Sequence, residues 1–542
     1  MSNIESWCDK TCDLFEVSAN DIQHATNHFV QQLRDGLQKD GTDLLQVPSY
    51  VVKLPTGAEK GVYMAVDLGG TNLRVCSVEL HGDCTHSVVQ SKVAIPHDVM
   101  TAASYKDLFG FIAQHTESFM LEHLPDDLKS WRATVLGGEP ATGKVGQPYV
   151  HSLGFTFSFT FDQYAIDKGS LLFWTKAFRV EDAIGRDPCE MLQEAFNEYR
   201  LPLVVRALVN DTVGTLAARA YASGGASETL LAAIFGTGTN GAYMESTPKI
   251  RKLASQGRYP ENGYMALNTE WGGFDRDLKV LPKTIFDQEL DRDSVNPDDQ
   301  HYEKRISGLY LGELLRRVLL SELRSATPCL DLKVASGSPL YTAYSIDSSF
   351  LSRVAQDQTP DLEAARNTIA QTLKTSEVSS EEARAIRSVA IAIGRRAARL
   401  SAIAIAGVVI QSERLTWTTT RPVSSCSQAP FWKRSLSALK SVLCLCGGRS
   451  KQSTALIEPH SKVAHSTDSD VSSEEGGVVP RDEIIDIGVD GSLFEFLPGF
   501  ESELRTALRG IPQVGPAGEK RIRFGPVADG SGIGAALIVS AL

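Results

Sequence analysis

LVVRALVNDTVGTLAARAYA, residues 203–222, is the stretch on which the reading of this chain turns. Its apolar, β-branched first half reads as a buried strand that stops at Asn210 and Asp211, and small residues at helical spacing follow. Strand, polar corner, helix is how α/β proteins present one reactive side chain at the carboxyl edge of a sheet. Two readings of Asp211 stand side by side. It is the N-cap of a helix beginning near Thr212, or it is a carboxylate placed for chemistry.

Outward from this corner, two segments share one grammar of apolar strand, glycine turn and apolar strand. In GVYMAVDLGGTNLRVCSVELHGD (61–83), the turn Gly69-Gly70-Thr71-Asn72 joins two strands as a hairpin. Asp67 ends the first strand and Arg74 lies just beyond the turn, so the hairpin is either structural or a phosphate cradle of backbone N–H groups. In TLLAAIFGTGTNGAYMES (229–246), the turn matches G-x-G-x-x-G. A dinucleotide fingerprint must open a helix, whereas AYMES continues as a strand. A second phosphate-holding hairpin fits better, and the pair suggests a duplicated nucleotide clamp.

The whole-chain figures set limits. At about 150 residues per domain, 542 residues allow two to four domains. A hydrophobic share of 42% and a charged share of 22% are those of an ordinary globular protein. The net charge of -12 argues against nucleic acid as a partner, because such binders carry a basic surface. Nine scattered cysteines without a repeating spacing indicate a reducing compartment. The N-terminus is acidic and lacks the apolar core of a signal peptide, and the longest apolar run, residues 400–410, is too short for a membrane span. A cytoplasmic location is expected.

Residues 18–47 read as an amphipathic helix capped by Ser18 and Asp21. GEPATGKV (138–145) misses a P-loop by one residue and precedes no helix, so it is set aside. LGFTFSFTFDQ (153–163) reads as a strand running into a turn, and GSLLFWTKAF (169–178) as a strand carrying Thr175 and Lys176. MALNTEWGGFD (265–275) brings Asn268 and Glu270 against Trp271. Residues 301–320 read as the start of a long helix with Glu303 in its first turn, and Ser379 with Glu382 as a capping box of another. Residues 412–481, rich in Ser and Thr and then acidic, read as a disordered insertion. The fold resumes at IIDIGVDGSLFEFLPGF (484–500). Asp529 to Gly534 then open a short apolar helix whose N-terminus suits a phosphate.

Together these segments closely resemble the eukaryotic hexokinase and glucokinase family, most of all its filamentous-fungal glucokinases. The match is carried by VDLGGTNLRV (66–75), LGFTFSF (153–159), LLFWTKAF (171–178), LVNDTVGTL (208–216), FGTGTNGAY (235–243), NTEWGGFD (268–275), YEKRISGLYLGELLR (302–316), IGVDGSLFEF (487–496) and DGSGIGAAL (529–537), in the family's order. The resemblance implies an α/β, two-domain actin-like/sugar-kinase (ribonuclease H-like) fold with a ligand cleft between domains. Residues 1–60 would be a helical segment on the large domain. Residues 61–210, closed by 529–542, would form the small domain, and 211–528 the large one with the insertion 412–481. It also implies phosphorylation of the 6-hydroxyl of a hexose, D-glucose first, by ATP with Mg²⁺, the first step of glycolysis. Carried over position by position, Ser158, Thr175, Lys176, Asn210, Asp211, Asn240, Glu270 and Glu303 would hold the hexose, with Asp211 as general base and Lys176 orienting the sugar. Asp67, Gly69, Gly70, Thr71, Asn72, Arg74, Thr237, Gly308, Ser531, Gly532, Gly534 and Ala535 would hold ATP. Mg²⁺ would sit on the phosphates with no ligand set of its own from the protein.

The chain departs from the family's pattern at Thr160, where Pro is usual, at Ala177, where Gly is usual, and at Leu73, where Phe is usual. Thr160 removes a fixed φ from the sugar loop. The insertion is either a tolerated surface loop or intron sequence read through in a gene model. Those departures keep an alternative in view, a catalytically weak sugar sensor of the same family. Monomer and homodimer are both left open.

Overall fold

The computed structural model describes residues 3–136, 150–174, 178–224, 229–254, 257, 263–416, 483–527 and 529–542. Along the chain its strands are β1 (Val47–Pro48), β2 (Lys60–Leu68), β3 (Asn72–His81), β4 (His86–Ala94), β5 (His151–Phe157), β6 (Thr160–Ala165) and β7 (Lys168–Phe173). They continue with β8 (Leu203–Val209), β9 (Thr229–Phe235), β10 (Thr239–Ser246), β11 (Tyr264–Asn268), β12 (Ile485–Asp490) and β13 (Ile522–Pro526).

Two sheets follow one plan. The first runs β4-β3-β2-β5-β8 and the second β11-β10-β9-β12-β13, with β1 added at the β11 edge. In each, three antiparallel strands joined in sequence are followed by two strands that add in parallel beside the first. The glycine turns 69–71 and 236–238 therefore occupy the same place, the first hairpin of each sheet. This repeated order is the α/β sugar-kinase architecture that the resemblance implies.

Each sheet buries its own core, and a third core lies between them. Helices Tyr105–His123 and Pro188–Glu198 cover one face of the first sheet through Phe109, Ile112, Leu192 and Phe196. The second sheet packs on the long helix Ser380–Gln411, whose apolar run 400–410 is almost wholly buried. The third core holds Ala65, Val78, Ala232 and Ala242 of the sheets with the helices Asp211–Ser223 and Gly530–Ser540. Alanine and glycine let these two helices approach closely: a Cβ on Gly534 would stand 2.0 Å from the carbonyl oxygen of Gly214.

Several expectations are corrected. The helix read over 18–47 is Ala19–Gln38, capped by Ser18 and Asp21 as expected. It stops because Lys39 is extended and Gly41 turns left-handed at φ 74°. Its Phe29 fills the space left by Gly407 on the long helix. The stretch 153–163 is two strands with a corner at Ser158-Phe159, and the strand read over 169–178 ends at Phe173. Thr175, Lys176 and Ala177 lie outside the described residues, as does the near P-loop 138–145. The long helix begins at Gly308, not at Glu303, because Ser307 is extended at φ -105°, ψ 151°. The N–H groups of Gly308 and Leu309 bond the carbonyls of Gly236 and Thr237 at 2.7 and 3.1 Å.

Residues 412–416, read above as part of the insertion, still belong to the fold. Lys249 pairs with Glu413 at 3.3 Å. The Arg521 guanidinium donates to the carbonyls of Arg414 and Leu415 at 2.9 and 3.0 Å, and to that of Glu483 at 2.8 Å. Residues 417–482 lie outside the described residues. Among the described residues, no helix is long and apolar enough to cross a membrane.

Candidate active site

The polar corner that opened the sequence lies at the carboxyl end of β8, the edge strand added in parallel to the first sheet. The helix cap is Asn210, not Asp211: its Oδ1 accepts the Thr212 N–H at 3.0 Å, and Asp211 is the first helical residue. The local alternative for Asp211 thus falls one residue short. Its Oδ1 also receives the Thr212 N–H, at 2.7 Å, which fixes the half-buried carboxylate at the helix start. A negative charge there is favoured by the helix dipole.

Around it runs a string of amides, hydroxyls and carboxylates drawn from four segments. The Thr212 hydroxyl donates to Asn210 Oδ1 in a short hydrogen bond and accepts from Asn240 Nδ2 at 3.1 Å. The same Nδ2 reaches Asn268 Oδ1 at 2.8 Å, and Asn268 Nδ2 donates to Glu270 Oε1 at 2.6 Å. Glu270 holds φ 51°, a left-handed conformation that costs a non-glycine residue free energy of order 1–3 kcal/mol. It is kept there by its N–H on Asn268 Oδ1 at 3.2 Å and by the buried Trp271 that follows. Glu303 enters from the other side, accepting the Thr239 N–H at 3.0 Å.

The first glycine turn is locked to the last helix. Asp67 sits opposite Arg74 in the β2–β3 register. Ser531 Oγ reaches Asp67 Oδ2 at 3.3 Å, and Arg74 pairs with Asp529 at 3.0 Å. Asn72 Nδ2 bonds the exposed Thr71 hydroxyl at 2.8 Å. Helix Gly530–Ser540 starts from Asp529 at φ 52°, and no side chain of Asp529 caps its first N–H groups. Gly534 and Ala535 instead face backwards into packing against Gly214 and Gly154. The second turn carries the exposed Thr237 and is held by Gly308.

Asp490, at the carboxyl end of β12, stands between these parts. Burial holds its carboxyl up at about 6, and the neighbouring charges of Asp529 and Asp211 push the same way. Gly491 beside it lies against the second turn, where a Cβ would meet the Phe235 carbonyl at 2.4 Å.

The structure thus brings Asn210, Asp211, Asn240, Glu270 and Glu303 into one hydrogen-bonded neighbourhood, and Asp67, Asn72, Arg74 and Ser531 into another. Ser158 belongs to the corner after β5, its N–H on the Leu68 carbonyl at 3.3 Å. That corner is braced by Phe159 against Trp174 and Phe178, each 4.8 Å between ring centroids. Sequence reasoning passed over Thr212 and Asp490, and it named Asn268 beside Glu270 without giving it a role. The available signal was the strand-ending pattern shared by Asn268, Asp490 and Asp67.

Hexokinase family models match residues 7–221 and 230–541. A glucokinase of Aspergillus niger is 41% identical over 97% of this chain and 94% of that protein. Glucokinase-1 of Saccharomyces cerevisiae is 34% identical over 98% and 95%. Among solved structures, a hexokinase from Schistosoma mansoni complexed with glucose superposes with a TM-score of 0.72 at 26% identity, covering 100% of both chains. Matched by hexokinase models on both sides of a short gap and by such relatives along nearly its whole length, the chain belongs to the hexokinase family.

Proposed function

We infer that this protein transfers the γ-phosphoryl group of ATP to the 6-hydroxyl of a hexose, with D-glucose as the preferred sugar. The observation that carries this reading is the Asp211 carboxylate fixed beside the string Asn210–Thr212–Asn240–Asn268–Glu270. A hexose offers hydroxyls that both donate and accept. Alternating amides and carboxylates pair them all and penalise an epimer that cannot match.

Asp211 accepts the proton of the sugar 6-hydroxyl as its oxygen attacks the γ-phosphorus, and ADP leaves on the opposite side. The transition state is loose, so positioning and charge stabilisation carry most of the rate. Ser158, Thr175, Lys176, Asn210, Asn240, Glu270 and Glu303 hold and orient the sugar. The turns at 67–74 and 236–238, with Gly308 and the start of the last helix, hold the nucleotide, while Gly534 and Ala535 support that helix from behind. Mg²⁺ would enter with ATP and neutralise the phosphates; the carboxylates Asp67, Asp490 and Asp529 fit the field of such an ion. The lobe of residues 61–210 with the last helix would close on the lobe of 211–528 once sugar is bound. Water lacks the binding energy to drive that closure, which limits ATP hydrolysis.

Initial rates of ADP release with glucose, fructose, mannose and glucosamine test the reading. Glucose-dependent turnover is expected, falling by about 10²–10⁴-fold in Asp211→Ala. No glucose-dependent ADP release, or an Asp211→Ala variant as fast as the parent, overturns it.

A further inference from the structure

Between helix Ile285–Arg292 and Glu303, the chain wraps three possible metal ligands around one point. One oxygen each of Asp291 and Asp298 and a ring nitrogen of His301 all lie within 4.8 Å of one another. His301 is 2% exposed, and its Nδ1 hydrogen-bonds no group among the described residues; the nearest carboxylate oxygen, Asp291 Oδ1, is 3.5 Å away. A buried imidazole nitrogen facing two carboxylates without a hydrogen bond is an unfavourable arrangement unless something binds it. The Oδ1 of Asn296 in the same loop is likewise buried without a partner.

The loop already gathers positive charge. Lys304, 2% exposed, bonds Asp291 Oδ1 at 2.6 Å and the Asn296 carbonyl at 2.7 Å. The ammonium pairs with Asp291, whose other oxygen accepts the Asp298 N–H at 3.2 Å, and it makes no ion pair with the exposed Asp298 carboxylate. Ligands about 2.1 Å from a shared ion stand at most about 4.2 Å apart. A small rotation of the exposed Asp298 side chain closes the set.

We propose that Asp291, Asp298 and His301 bind a divalent cation of the Zn²⁺ class, apart from the sugar and nucleotide residues. Imidazole with carboxylates selects Zn²⁺ or Co²⁺ over Mg²⁺ and Ca²⁺, which prefer oxygen alone. The ion ties the segment that runs through Gln300, packed against Gly272, into Glu303. An effect of the ion on sugar affinity through Glu303 would rest on the proposed sugar site; the binding itself does not.

The test is a titration of Co²⁺ into the full-length protein without nucleotide or sugar, followed by visible absorption and equilibrium dialysis. One saturable equivalent is expected, displaced by Zn²⁺ but not by excess Mg²⁺. It should weaken at least about tenfold in His301→Gln and in Asp298→Asn, and be unchanged in a Cys8→Ser, Cys12→Ser double variant. Equal uptake in Asp298→Asn, no saturable uptake, or equal competition by Mg²⁺ overturns the proposal. Should His301→Gln fail to fold by circular dichroism, Asp298→Asn decides alone, since its side chain is exposed.

Discussion

Asn210 and Asp211 share one helix N–H: the Oδ1 atoms of both accept from Thr212, at 3.0 and 2.7 Å. In the proposed reaction, the lone pairs Asp211 has left would be directed at the substrate. With Asn210 as the cap, Asp211 remains half-buried at the helix start. Asp490 is the complementary case. Its carboxyl titrates near 6 in the folded chain against an ordinary value of 3.8, so between those pH values the folded state holds a proton that the unfolded state has released. Stability from this group is present at low pH and is lost as pH rises through about 6. Asp490→Asn should therefore raise the unfolding midpoint of the ligand-free protein at pH 7.5 relative to the parent. The gain should vanish towards pH 4, as read by calorimetry across that range; a difference independent of pH contradicts the account. At this scale local pattern left Asp211 open between a cap and a reactive carboxylate, and the resemblance, not spacing, singled out Asn240 and Glu270. The links of Thr212 and Asn268 to Asn240 were not readable, because Asn240 lies 28 residues from each and meets them only in the fold.

Helix Asp211–Ser223 and the last helix are the elements through which the two sheets meet. Their crossing is set by Gly214 and Gly534, where a methyl group would strike backbone rather than a movable side chain. Gly534→Ala should destabilise the protein by about 1–3 kcal/mol through overpacking, partly offset by the better helix propensity of alanine. Gly532→Ala is the control, since its Cβ would meet only the Arg74 side chain, at 3.3 Å. A midpoint lowered by Gly532→Ala as much as by Gly534→Ala in thermal melts would refute this view of the crossing. Element type was readable from periodicity for nearly all of these pieces. Boundaries were not: the break at Ser307 arises because Gly308 and Leu309 give their N–H groups to Gly236 and Thr237, a partnership no local pattern encodes.

At the scale of the molecule, the repeated strand order explains why the two glycine turns looked alike in the sequence. Each is the first hairpin of the same five-strand plan. The plan itself was out of reach of spacing, because β12 pairs with β9 across about 250 residues; the resemblance, not periodicity, supplied it. The same β12 follows directly on the 417–482 segment, whose two flanks are gripped by the single guanidinium of Arg521. Replacing 417–482 by a short glycine-serine linker should leave the unfolding midpoint within a few degrees and the turnover with glucose intact, since each doubling of loop length costs only about 0.6 kcal/mol. A variant that is insoluble or melts far earlier would show that the segment is part of the fold's support. Arg521 thereby acts as a ferrule, binding two ends of one cord: the turn that ends the long helix and the approach to β12 are held together by one side chain. The distance between the two ends is thus set by the folded chain on either side of the segment, not by the segment's length.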